Sequence, residues 1–228
     1  MEPRVAGDLD GPRLAARSGA AKRLVVFLHG YGADGNDLID IGRAWQGLLP
    51  DTAFVSPHAP EPCGQAPVGR QWFPLFTRAP NERWDGARKA APVLERFLDA
   101  ELSRHGLPPS ALALVGFSQG TMMALHVGLR RPRQLAGIVG FSGMLAAPET
   151  LAAEIETRPP VLLLHGDSDE MLPHVLTERA TETLRRHGLS VRMHIARGVG
   201  HGIDQTGLSQ AASFLLDVFK LPLPQQGR

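Results

Sequence analysis

Short apolar runs alternate along this chain with longer stretches in which apolar residues return every three or four positions. Six runs read as buried strands: 23–28 (RLVVFL), 52–56 (TAFVS), 111–115 (ALALV), 135–140 (LAGIVG), 161–164 (VLLL) and 191–195 (VRMHI). A weaker run at 13–17 is expected at a sheet edge. Helical patterns fall between the strands at 37–49, 82–104, 119–130, 176–187 and 207–219. Strand followed by helix, repeated, predicts crossover units on a mostly parallel central sheet with helices on both faces. No linker or internal repeat divides the chain, so residues 1–228 are expected to form one α/β domain, with 1–12 a loose N-terminal tail. The stretch 57–80 breaks the rhythm, being rich in Pro and Gly yet carrying Trp72, Phe73 and Phe76. A loop of that length is usually functional or disordered, and its aromatic residues argue for the former. The segment 141–160 is too short for a large lid, so any cap over a site must be small and built mainly from 57–80.

Composition narrows the function without naming it. The chain has 228 residues, 43% hydrophobic and 21% charged, which fits a soluble domain able to bury a sheet on both faces. Its 24 basic and 23 acidic residues give a net charge of +1 and are scattered, so neither nucleic acid nor an anionic membrane is expected as a partner. Arg130, Arg131 and Arg133 form a short cluster where the third helix should end, suited to the helix dipole and solvent. The one cysteine, Cys63, cannot close an intramolecular disulfide. No stretch approaches the roughly eighteen apolar residues of a membrane span, and the first residues lack a signal-peptide core. These features predict a cytoplasmic protein without stable membrane insertion, and leave a homo-oligomer open.

Chemistry concentrates after the third strand. Gly116-Phe117-Ser118-Gln119-Gly120 follows the 111–115 run and opens a helical pattern, the setting of a nucleophile elbow. A Cβ at 116 or 120 would crowd strand against helix, while the sharp turn lifts the Ser118 hydroxyl above the sheet edge. Such a hydroxyl needs a base held in one tautomer by a third group. In α/β-hydrolase order the acid and then the histidine follow, each in a loop after a later strand. The 161–164 strand leads into His165-Gly166-Asp167-Ser168-Asp169, with two carboxylates, and the 191–195 strand into Gly198-Val199-Gly200-His201-Gly202. Both loops leave the carboxyl edge of a parallel sheet, the same edge as Ser118. Among the nine histidines, His105 and His187 sit near helix ends, His126 lies within a helix, and His194 lies within a strand. His58 and His174 suit structural or surface roles, while His201 has the place in chain order that the base requires. Either Asp167 or Asp169 could be the acid by position. An acyl oxyanion also needs backbone N–H donors, one from the residue after the nucleophile, Gln119, and one from an early glycine-rich loop. In Leu28-His29-Gly30-Tyr31-Gly32 that donor is assigned to Tyr31.

Taken together, LVVFLHGYGADGNDL, FVSPHAPEP, QWFPL, LVGFSQGTMMAL, GFSGML, VLLLHGDSDEMLP and GVGHGI resemble the carboxylesterase and phospholipase family of small α/β-hydrolases, which includes acyl-protein thioesterases. The 55–75 stretch resembles the bacterial esterase branch. The resemblance implies a triad of Ser118, Asp169 and His201, favouring Asp169 over Asp167, with the amides of Tyr31 and Gln119 as oxyanion hole. It also makes Trp72 and Phe73 candidate contacts for the substrate's acyl group. Two departures stand out: Met171-Leu172-Pro173, where many relatives have a valine before the proline, and Tyr31, where many have leucine. The expected function is hydrolysis of small-molecule carboxylic esters of short to medium acyl chains, through an acyl-enzyme, with no cofactor and no metal. Alternatives are an acyl-protein thioesterase or lysophospholipase, and a non-catalytic hydrolase-fold binding module. No His-Glu-x-x-His pattern supports a metal-dependent hydrolase, and a dienelactone-hydrolase-like enzyme would be expected to have cysteine at 118.

Overall fold

The computed structural model describes residues 9–64, 66, 68–77 and 80–222. The strands of its main sheet are β1 (Arg13–Leu14), β2 (Arg23–Leu28), β3 (Thr52–Val55), β6 (Leu112–Phe117), β7 (Gly137–Phe141), β8 (Val161–Gly166) and β9 (Val191–Ala196). They lie in the order β1-β3-β2-β6-β7-β8-β9. All neighbours are parallel except β1, which pairs antiparallel to β3 at the edge. The helices are α1 (Asn36–Trp45), α2 (Pro80–His105), α3 (Gln119–Gly128), α4 (Leu151–Glu154), α5 (Val175–Arg186) and α6 (Gln205–Val218). This is the α/β-hydrolase architecture, and no large lid covers it: between β7 and β8 stand only a single 3₁₀ turn and the four-residue α4.

Side chains of successive strand residues point to opposite faces, so a run such as RLVVFL feeds two cores at once. Leu24, Val26, Leu28, Leu112 and Leu114 pack with Leu94 and Leu98 of α2, the apolar face of α3, and Leu184 of α5. Val25, Phe27, Ala113 and Val115 pack on the other side against Leu38 and Trp45 of α1 and Phe214 and Leu215 of α6. Every residue of α3 is buried. That helix therefore sits as a wedge between the sheet and α2, directly behind the edge where β6 ends.

Several elements differ from the sequence expectation. The edge strand spans two residues rather than 13–17, and β7 starts at Gly137 rather than at 135. The helix expected at 82–104 runs from Pro80 to His105, through Pro92. The 57–80 stretch contains a short antiparallel pair, β4 (Glu61–Pro62) with β5 (Arg70–Gln71). Residues 9–12 were expected in a loose tail but are docked: Leu9 is buried, Pro12 O accepts from Ser56 N at 3.0 Å, and Asp10 O accepts from His58 N at 2.7 Å. Residues 1–8, the rest of that stretch, lie outside the described residues. Among the described residues no helix is long and apolar enough to cross a membrane.

His126 lies inside α3 and is 5% exposed. Burial, reinforced by the nearby Arg130 charge, pushes its pKa down from 6.5 to about 4. The folded protein thus takes up this proton later than the unfolded chain, which binds more protons between those two values. Stability should fall as pH drops from 6.5 to 4, with His126 contributing about 3 kcal/mol to the loss. Urea midpoints of the wild type and His126→Met, taken at several pH values in this window, should show a shallower decline for the variant.

Candidate active site

β6 ends at Phe117 and α3 begins at Gln119, so the chain turns within one residue. Ser118 takes φ 52° and ψ −113°, a conformation that costs a non-glycine residue about 1–3 kcal/mol. Its backbone is held from both sides: Ser118 N–H donates to Phe141 O at 2.9 Å, and Ser118 O accepts from Thr121 N at 3.0 Å. The Thr121 hydroxyl lies 2.9 Å from Gly116 O and 2.8 Å from Phe141 O, tying β6, α3 and β7 together. The two flanking glycines are required by contact. A Cβ on Gly116 would lie 2.5 Å from the Gly120 carbonyl, and one on Gly120 would lie 1.8 Å from Leu28 O.

Two later loops reach the same edge. A Cβ on Gly166, at the end of β8, would lie 2.0 Å from Val199 O, so only glycine lets the β9–α6 loop close over the β8 loop. Ser168 N–H donates to Val199 O at 3.0 Å, and Gly198 N–H donates to Asp167 Oδ1 at 2.7 Å. His201 thereby arrives with Nε2 3.0 Å from Ser118 Oγ and Nδ1 2.6 Å from Asp169 Oδ2. The Phe117 ring packs against its imidazole, centroids 5.1 Å apart. The Asp169 side chain is fully buried, and its Oδ1 accepts from the N–H groups of Met171 at 2.9 Å and Leu172 at 2.8 Å. Burial alone would push this carboxyl up, but the bonds from Leu172, His201 and Met171 hold it below the usual carboxylate range. A carboxylate at Nδ1 fixes the His201 proton there and leaves the Nε2 lone pair facing the serine hydroxyl. Of the two acids that spacing left open, it is Asp169 that meets His201. Asp167 is turned away, binding Ser168 Oγ at 2.9 Å and the Gly198 amide.

Across the site lies the loop after β2. His29 is fully buried; its Nε2 accepts from Ala59 N at 3.0 Å, so the proton is on Nδ1, which donates to Gly30 O at 2.8 Å. Burial pushes the His29 pKa down to about 4, which keeps the ring in this neutral form. Carbonyl and amide point opposite ways across a trans peptide, so holding Gly30 O on one side turns Tyr31 N–H to the other. Among the described residues, neither the Tyr31 N–H nor the Gln119 N–H has a hydrogen-bond partner. Sequence reasoning passed over His29, although its place directly before the glycine of the loop was a usable signal. Among the described residues no group of three or more His, Cys, Asp or Glu side chains could hold a metal.

Trp72 and Phe73 do not present themselves to a substrate as expected; each is only 1% exposed. Trp72 donates its indole N–H to His29 O at 3.0 Å. Phe73 lies where a Cβ on Gly86 of α2 would come within 2.5 Å of its ring. The Gln119 side chain pins both, accepting from Trp72 N at 2.9 Å and donating to Phe73 O at 2.7 Å. Exposed apolar surface is found instead at Met171, whose amide binds Asp169, and at Phe76 further along the loop. Cys63, in the same loop, is a buried free thiol.

The family described as phospholipase/carboxylesterase matches the chain over residues 9–218. Esterase YpfH of Escherichia coli (strain K12) is 29% identical over 206 residues, covering 90% of this chain and 85% of that protein. Acyl-protein thioesterase 1 of Schizosaccharomyces pombe is 32% identical over 172 residues, covering 70% of this chain and 74% of that protein. The crystal structure of esterase PE8 superposes with a TM-score of 0.90 at 50% identity, covering 92% of this chain and 99% of that one.

Because Trp72 is enclosed, Trp72→Ala should act through the fold. Unfolding in urea should show a loss of about 3–5 kcal/mol. The remaining activity should fall by the same factor for acetyl, butyryl and octanoyl esters; a loss that grows with chain length would place Trp72 in the acyl groove after all.

Proposed function

The chain belongs to the phospholipase/carboxylesterase family, and on that premise we propose that Ser118, His201 and Asp169 are the triad with which it hydrolyses carboxylic esters. The observation that carries the assignment is the unbroken relay of 3.0 Å and 2.6 Å from the Ser118 hydroxyl through His201 to a buried carboxylate. In this reading Ser118 Oγ attacks the acyl carbonyl while His201 Nε2 takes its proton. The negative oxygen of the tetrahedral intermediate meets the free N–H groups of Tyr31 and Gln119. His201 returns its proton to the departing alcohol, leaving an acyl group on Ser118. A water molecule, deprotonated by the same nitrogen, then releases the acid. Asp169 stays ionised throughout and stabilises the imidazolium while it exists.

The same relay would attack a thioester, and the resemblance to acyl-protein thioesterase 1 of Schizosaccharomyces pombe makes that the second reading. Short to medium acyl chains are supported by the modest apolar surface beside the relay, where Met171 is exposed and Trp72 and Phe73 are taken up in the core. The lone buried thiol, Cys63, suits a reducing compartment, in keeping with a cytoplasmic enzyme.

Ser118→Ala should lower kcat for a p-nitrophenyl ester to below about a hundredth of wild type with the fold unchanged. A fluorophosphonate should label Ser118 alone in the wild type; turnover above that level would remove Ser118 as the nucleophile.

Asp169→Asn should reduce kcat by about three orders of magnitude, and Asp167→Asn by less than about tenfold. The reverse ranking, with circular dichroism unchanged, would transfer the acid's role to Asp167. A panel of esters and thioesters of matched acyl length separates the two substrate readings by kcat/KM.

A further inference from the structure

Asp169 meets a second imidazole. His165, at the end of β8, has a fully buried side chain whose Nε2 lies 2.9 Å from Asp169 Oδ2, the oxygen that also faces His201. The same nitrogen lies 2.8 Å from Leu172 O. Both neighbours are acceptors, so Nε2 must carry a proton. On the far side Nδ1 is 2.6 Å from Thr177 Oγ1, which in turn is 2.6 Å from Gly143 O. The Thr177 hydroxyl has one proton to give. In a neutral ring it goes to Nδ1; in an imidazolium it goes to Gly143 O. Burial disfavours the imidazolium and His201 adds to this, against the opposing pull of Leu172 O and Asp169. In either form Nε2 keeps its proton, because both of its neighbours accept.

We infer that His165 is a positioning residue for the proposed triad: its Nε2–H donates to the Asp169 oxygen that holds His201, fixing that carboxylate and limiting its grip on the His201 proton. With it, the buried carboxylate accepts four N–H donors: Met171 and Leu172 on Oδ1, His201 and His165 on Oδ2. Remove the fourth and two things follow. Asp169 gains freedom to turn about its side-chain axis, and Oδ2 concentrates more negative charge on His201, stabilising its protonated form. The other charged groups on the elements around this network include Asp167 and Glu170 on the β8 loop, Arg197 and Asp204 on the β9–α6 loop, and His174, Glu178 and Arg179 at the start of α5. None of them has a hydrogen bond to Asp169 among the described residues, so none replaces the lost donor.

The inference rests on the triad assignment, and its test separates the two. kcat and KM are measured against pH with p-nitrophenyl acetate for the wild type, His165→Leu and His165→Gln. Leucine fills the space without an N–H; glutamine places an N–H close to the imidazole Nε2 position. The Leu variant should lose about tenfold to a hundredfold in kcat with KM nearly unchanged. The acid limb of its kcat/KM profile should move up by about one pH unit, the scale expected when a carboxylate loses a charge-assisted hydrogen bond. The Gln variant should restore the limb. A folded Leu variant whose limb has not moved overturns the inference, however low its kcat, because a merely structural histidine would leave the limb in place.

A wild-type measurement keeps the inference testable should the Leu variant fail to fold. ¹H–¹⁵N spectra of the histidine rings from about pH 5 to about pH 9 should show His165 protonated at Nε2. An Nδ1–H tautomer with a bare Nε2 overturns it. Failure of the triad itself would be read elsewhere, as retained turnover in Ser118→Ala and Asp169→Asn.

Discussion

The reversal of the chain at Ser118 is the constraint from which the rest of this structure follows. A strand in the middle of a sheet must become a helix behind it with no intervening loop, and only a left-handed serine between two glycines achieves this. The strain is local, while what opposes it is distributed: a helix buried along its whole length, and a threonine hydroxyl shared between the carbonyls of two strands. Once α3 is seated this way, the approach of Gly120 to the end of β2 also fixes where the next loop can pass. Ser118 and the amides across from it are thus set by one packing contact.

Around that fixed point the buried polar groups balance one another. Asp169 is removed from water, yet each of its oxygens faces two N–H groups, so its charge is compensated without a cation. His29 is enclosed as a neutral ring between a carbonyl and an amide, and the His165 Nε2 proton is fixed between a carboxylate and a carbonyl. Fixed tautomers of this kind keep the geometry stiff.

Much of this was legible in the chain. Strands buried on both faces read as unbroken apolar runs, and the order of serine, acid and histidine could be followed from loop to loop. The two-residue strands β4 and β5 are too short to show a period, and so escaped, while β1 was expected at a sheet edge but over 13–17. Asp167 and Asp169 could not be separated by spacing, since both follow Gly166 closely; the choice is made by the Gly198 amide, which draws Asp167 away from the site. The family resemblance made Trp72 and Phe73 candidate substrate contacts, but each is 1% exposed. The missing side chain of Gly86 and the amide of Gln119 admit them to the core instead, and neither partner is near in sequence. His29 and His165 could be noticed within their motifs, but what each does depends on which carbonyl or carboxylate the fold turns toward it.

Gln119 joins two parts of the molecule that could otherwise move independently. Its backbone stands at the reacting centre, while its side chain grips the loop at Trp72 and Phe73 through two hydrogen bonds in a dry interior. That stretch of loop cannot swing aside without leaving both ends of the amide unpaired. The backbone around Trp72 and Phe73 is therefore held in one shape beside the turn at Ser118.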